Sequence, residues 1–109
     1  MRMSMQNLTP LRALVVALGL IGGLAYADSQ GISKTEILLG GIEDLSGPLA
    51  GYGKQIRMGM LLRVDEVNEQ GGINGRKLRL LVEDDGYDPK RAVLAAQKLV
   101  NQDKVFAVV

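Results

Sequence analysis

The sequence predicts an α/β fold, the first half of an open, doubly wound parallel sheet, and three observations lead there. Three short, apolar, β-rich runs alternate with two stretches of helical periodicity. The connections between the runs are long enough for crossover helices, which makes the strands parallel and the crossovers right-handed. Cap and turn signals stand where such units change element. The resulting order is strand, helix, strand, helix, strand, without internal repeats or low-complexity segments.

"TEILLGGI", Thr35 to Ile42, is the first apolar run and reads as a strand. It ends at Glu43 and Asp44, where the glycine-rich stretch "LSGPLAGYGK", Leu45 to Lys54, begins. A helix is expected from about Lys54 to Gln70. Ile56, Met60, Val64 and Val67 recur on one face of a 3.6-residue period, and Lys54, Arg57, Arg63, Glu66 and Glu69 fall mostly off it. Gly59 is expected on the buried side, close to the sheet. Gly71 and Gly72 stop the helix. Asn74-Gly75 is a turn signal, and "KLRLLVED", Lys77 to Asp84, reads as the second strand with Leu78, Leu80 and Val82 on one side. Asp88 suits an N-cap and Pro89 the first helical position. The second helix is expected to reach about Asn101, with Ala92, Ala95 or Ala96, Leu99 and Val100 inward. Val105 to Val109 has the composition of a buried parallel strand, the third. A central strand with nothing beyond it would leave an unpaired edge, so the chain is expected to be part of a longer protein.

The N-terminus reads as a targeting segment. Arg2 and Arg12 form a basic region, Ala13 to Leu24 is an apolar run of 12 residues, and "AYA", Ala25 to Ala27, is a small-x-small cleavage site. The run is shorter than the roughly 20 residues of a membrane span, although an N-terminal anchor is the alternative. The expected division is a signal peptide, 1–27, cleaved after Ala27, and residues 28–109 as a mature, periplasmic portion. Without Arg2 and Arg12, the 13 basic residues fall to 11 against 12 acidic ones, a net charge of −1.

Composition narrows the chemistry. A near-neutral balance offers nothing to nucleic acid. The chain has no His and no Cys, which removes the usual zinc ligands, a thiol nucleophile, a Ser–His pair and any disulfide. The glycine-rich stretch fails each motif it resembles. A phosphate loop needs one residue fewer between Gly47 and Gly53, and a hydroxyl where Gln55 stands. The dinucleotide pattern fails because Ile56 occupies its last glycine position, and a nucleophile elbow fails because Asp44 precedes Ser46 by two. "EDDGYD", Glu83 to Asp88, lacks the spacing of a calcium loop. Its plainer account is a helix cap at Asp88 and solvated strand-end carboxylates. A phospho-acceptor receiver domain is the other thought such acids raise, and export argues against it. No catalytic residue, metal or cofactor is expected. Ligands of open α/β sheets sit beyond the carboxyl ends of the strands, which here means Glu43 to Gly53 and Asp84 to Asp88, with a third loop after Val109.

"ILLGGIEDLSGPLAGYG", "VNEQGGINGRKLRLLVEDDGYDPKRAVLAAQKLV" and "DKVFAVV" together resemble the N-terminal lobe of periplasmic solute-binding proteins of ABC importers, the branched-chain amino-acid (leucine)-binding type. The resemblance covers essentially all of Ile37 to Val109. It implies two α/β lobes joined by a hinge, an amino acid or related small solute caught between them, and delivery of that ligand to a membrane permease. It also implies an incomplete first lobe here, 28–109, with most ligand contacts beyond Val109. By the same resemblance Tyr52 matches an aromatic position lining the ligand pocket, and Ser46, Gly51 and Gly53 flank that cleft. Some members carry a Cys in the loop after the second strand, and Tyr87 stands in that place.

Each of these residues also has an ordinary structural explanation. Tyr52 would serve equally as a surface aromatic, Ser46 as a turn or helix-entry residue, the glycines as backbone geometry, and Asp85 as a structural carboxylate. Two other functions stay open: an extracellular sensor domain of a receptor with the same fold, and a secreted enzyme of unrelated α/β fold.

Overall fold

The computed structural model describes residues 29–109; the expected signal peptide, 1–27, lies outside the described residues. A three-stranded parallel sheet in the order β2-β1-β3 forms the centre, with β1 at Glu36–Glu43, β2 at Lys77–Asp84 and β3 at Ala107–Val108. Helix α1, Ala50–Glu69, carries the chain from β1 to β2, and α2, Pro89–Gln97, with a π-helical turn at Lys98–Gln102, carries it across β1 to β3. The chain thus reverses direction across the sheet after β2, and the two crossovers fall on opposite faces. Neighbouring glycines of β1 mark this: a Cβ on Gly40 would meet Leu99, and one on Gly41 would meet Met60 of α1. Since successive strand residues point to opposite faces, Leu99 and Met60 cover opposite sides.

Register puts Gly41 opposite Val82, so Leu78, Leu80 and Val82 share the α1 face, as their alternation predicted. Val64 and Val67 are half-buried along α1, in line with the expected stripe. Ile56, at 50% exposure, is not, and Gly59 faces open space rather than the sheet. The reason is that α1 starts four residues earlier than expected, at Ala50, and touches the strand ends through its buried Gly53. Ile56, close after that contact, is left half exposed.

Both ends of α1 are tied down. Gly71, at φ 99°, and Gly72, at φ 77°, close its C-terminus, and the Gly72 N–H donates to the Val67 carbonyl at 2.9 Å. One turn earlier, Asn68 donates to the Leu78 carbonyl and accepts from the Leu78 N–H, both at 2.8 Å. Its amide thus replaces a neighbouring strand on the open edge of β2. The Asn74-Gly75 turn forms as its sequence indicates, with both residues at positive φ and Ile73 and Arg76 exchanging backbone hydrogen bonds at 2.7 and 2.9 Å.

Asp88 caps α2 by accepting from the Arg91 N–H at 2.9 Å, with Pro89 next to it. The expected helix to Asn101 instead widens at Lys98, where the Asp103 N–H reaches the Lys98 carbonyl at 2.9 Å. The wider turn keeps Leu99 fully buried with Ala95 but rotates Val100 outward to 44% exposure, against the expectation for Val100. Lys98 bonds Glu83 at the end of β2 and Asp103 at 3.0 Å, and these bonds raise its pKa above the usual lysine range. Glu83 is therefore engaged rather than simply solvated.

The third strand is shorter than Val105 to Val109, although the Phe106 and Val109 N–H groups still bond Leu38 and Gly40 of β1. Ahead of β1 the chain folds back over the same region. Gln30 donates its side-chain amide to the Val100 and Val105 carbonyls at 3.1 and 3.0 Å, and Gly31 lies so close to Phe106 that no Cβ would fit. No helix among the described residues is long and apolar enough to cross a membrane.

Candidate functional site

The loops at the carboxyl ends of β1 and β2 lie against each other, as the topology requires. Two aspartates build the junction. Asp44, only 6% exposed, follows β1 and folds the next residues around its carboxylate. It accepts from the backbone N–H of Ser46 at 3.2 Å, of Gly47, and of Leu49 at 2.7 Å. Leu49 is the N-cap of α1 and offers no side-chain acceptor, so Asp44 supplies the negative charge at the helix start from five residues upstream. That is why α1 begins at Ala50.

Asp84, the last residue of β2, ties the two loops together. It accepts from the Leu45 N–H at 2.9 Å, the Ser46 hydroxyl at 2.6 Å, the Gly86 N–H at 2.9 Å and the Arg91 guanidinium at 3.1 Å. The Ser46 hydroxyl, then the Leu45 N–H, hold its pKa far below the usual carboxylate range, with lesser help from Gly86 and Arg91 against partial burial. Asp84 is thus an organiser of the loops and not a solvated strand-end carboxylate. Asp85 accepts from the Tyr87 N–H at 2.9 Å, which holds Tyr87 at φ 60°.

Gly53 and Gly47 allow the close approach. A Cβ on Gly53 would collide with the Asp44 carbonyl, and one on Gly47 with the Gly86 carbonyl. What remains between them is a hollow of about 210 Å³ at the strand ends, with Leu49, Tyr52, Ile56 and Tyr87 as apolar walls and Glu43 and Asp85 among its polar ones. Binding sites for small molecules usually enclose about 300–1,000 Å³, so this hollow is smaller than such a site.

The predicted residues separate into two groups. Tyr52 projects from the first turn of α1 at 71% exposure and lines the hollow, and Gly53 contributes backbone to it. Ser46 lies in the loop with its hydroxyl committed to Asp84, and Gly51 faces open space on α1. Tyr52, Gly51 and Gly53 therefore belong to the helix and not to the loop that their glycine content indicated. Sequence reasoning missed Asp44 as the hub, and Leu49, Ile56 and Tyr87 as walls. A signal for Asp44 exists: an Asp followed two residues later by Ser-Gly at a strand end is an Asx-turn pattern.

Asp44, Asp84 and Asp85 bring one carboxylate oxygen each within 4.8 Å of one another. The oxygens of Asp44 and Asp84 are occupied by N–H and O–H donors, and this arrangement explains the cluster as loop architecture.

The strand order reverses at β1, and open α/β sheets of this kind have their crevice at the carboxyl edge, where the hollow lies. The chain belongs to the periplasmic binding protein family, which it matches over residues 36–109. It is 40% identical over 89 residues to a Leu/Ile/Val-binding protein of Rhizobium johnstonii, covering 82% of this chain and 23% of that one. It is 37% identical over 98 residues to a leucine-, isoleucine-, valine-, threonine- and alanine-binding protein of Pseudomonas aeruginosa, covering 90% and 25%. Among solved structures it resembles the branched-chain amino acid transporter substrate-binding protein of Streptococcus pneumoniae in complex with isoleucine, at a TM-score of 0.66 and 36% identity over 68% of this chain and 21% of that one. It also resembles a solute-binding protein of Rhodopseudomonas palustris in complex with 3,4-dihydroxybenzoic acid, at a TM-score of 0.60 and 27% identity over 67% and 20%. The fold is the periplasmic binding protein type I fold, and the chain spans about a quarter of the length of the curated relatives it matches.

Proposed function

We propose that this chain is the opening part of the N-terminal lobe of an exported solute-binding protein. The whole protein captures an amino acid, of branched-chain type or a related small solute, and delivers it to the membrane permease of an ABC importer. Residues 1–27 direct export to the periplasm and are removed after Ala27. The mechanism is binding without covalent chemistry. A second lobe closes over the ligand, and the closed form is what the permease recognises.

The observation that carries this proposal is the hollow at the carboxyl ends of β1 and β2, walled by Tyr52 and the Gly53 backbone. Tyr52 supplies ring surface to the ligand's apolar part. Gly53 lets the first turn of α1 sit against the strand end, which sets where that ring stands. Ser46 and Gly51 flank the cleft, Ser46 by fixing the loop through Asp84. Leucine, isoleucine and valine, which the relatives' names carry, are among the ligands to test.

The test is calorimetric titration of the complete two-lobed protein with leucine, isoleucine, valine and phenylalanine. Micromolar or tighter binding of at least one is expected, weakened about tenfold or more by Tyr52→Ala, because an interfacial aromatic is a common binding hot spot. Absence of binding to all four would overturn the proposal.

A further inference from the structure

We propose that Tyr87 is a specificity-determining residue of the hollow, selecting an amino acid with an aromatic side chain over one with a branched aliphatic side chain. This rests on the hollow being the ligand wall described above. Tyr87 lies on the β2–α2 loop and Tyr52 on α1, so the two rings reach the same hollow from different elements. Among the described residues both are largely exposed, at 64% and 71%. Leu49 and Ile56 line the same hollow and add apolar surface to it.

The placement of Tyr87 is built rather than incidental. A non-glycine residue at φ 60° is uncommon, and here the Asp85 carboxylate holds it by accepting the Tyr87 N–H at 2.9 Å. Asp85 lines the hollow as well, with Glu43 on another side. The charged rim is thus acidic, which favours the ammonium end of an amino acid nearby and turns its carboxylate toward the remainder of the cleft. A flat ring entering the apolar part then meets two tyrosines. Aromatic pairs in offset or edge-to-face geometry gain more than their buried area alone supplies, equivalent to roughly two- to tenfold in affinity. A leucine side chain gains only the area.

The experiment measures the dissociation constants of phenylalanine and leucine for the complete protein and for Tyr87→Phe and Tyr87→Leu. The native protein is expected to bind phenylalanine more tightly, by roughly two- to tenfold. Tyr87→Phe should keep that ratio, and Tyr87→Leu should bring it to one or reverse it. A partly misfolded variant loses both affinities by the same factor, so the ratio reports on the ring and not on folding. A native preference for leucine, or a ratio unchanged in Tyr87→Leu, overturns this proposal while leaving amino-acid binding intact. Binding of neither ligand removes it together with the function it rests on.

Discussion

The two glycines that bracket Tyr52 differ in what surrounds them, and substitution should separate them. A Cβ at Gly53 would strike the Asp44 backbone carbonyl, whereas one at Gly51 would meet nothing within 4 Å. Gly53→Ala should therefore push α1 off the strand end and cost about 1–3 kcal/mol or more, while Gly51→Ala should be neutral or stabilise by about 0.5–1 kcal/mol through helix propensity. Urea denaturation of the two variants decides it, and equal effects would show that α1 does not sit where Gly53 puts it. Asp84 carries a second residue-scale prediction. Its pKa is depressed in the folded state, so its stabilisation is complete above the unfolded value near 4 and shrinks as pH falls from there toward the folded value. Asp84→Asn should lower the melting temperature at neutral pH and flatten the acid side of the stability profile. Melts from about pH 7 down to about pH 3 test this, and a variant profile parallel to the native one would exclude Asp84 as the titrating group. The role of Asp84 was not legible in the sequence. An Asp in an acidic run looks solvated, and its partners, such as Leu45 and Ser46 for Asp84, are some 39 residues distant in the chain.

At the scale of elements, composition and period identified every strand and helix, and the bounds of β2 and the start of α2 were legible to the residue. These are the places where local signals decide, Asn74-Gly75 before β2 and Asp88-Pro89 before α2. The start of α1 was not legible, because its acceptor is Asp44 in the preceding loop and not a residue at the cap. The end of α2 was not legible either, since the π-helical turn answers to burying Leu99 against Gly40 and to the Lys98 bonds with Glu83 and Asp103. Asn68 shows how an element is locked from outside the helix register. Its side chain bonds both polar groups of the Leu78 backbone. Asn68→Ala leaves both partly buried groups without their partner and should cost about 1–3 kcal/mol, and Asn68→Asp, which sets a carboxylate against the Leu78 carbonyl in the last turn of the helix, should cost at least as much. Amide exchange at Leu78 gives the site-specific measurement. Protection there that survives Asn68→Ala would show that the edge of β2 is held by something else.

For the molecule as a whole, the described residues bury little. Ala95, Leu99 and Val105 are the buried apolar side chains among them, and Leu99 alone is fully enclosed. Phe106, Val108 and Val109 around β3 are 53%, 44% and 61% exposed, as are Val93 and Leu94 on α2 to a similar degree. Strand β3 pairs with β1 at two register positions, and its other edge pairs with no strand among the described residues. A sheet edge and apolar surface of this kind are stable when another strand and helix cover them. Residues 28–109 produced alone should accordingly be marginally stable, with a broad thermal transition, binding of a hydrophobic dye and concentration-dependent association. The same piece should give no calorimetric heat with leucine or phenylalanine at micromolar concentration, because under the proposed function the hollow of about 210 Å³ is one wall and ligand affinity requires the opposing ones. A sharp two-state transition in a monomer would show that the small core suffices for folding. Micromolar binding by the same piece would show that the Tyr52–Tyr87 wall is a complete site. The two measurements are independent, since a lobe can fold without closing on a ligand. A folded, non-binding piece would locate the missing contribution in the rest of the first lobe and in the second, rather than in the stability of this piece.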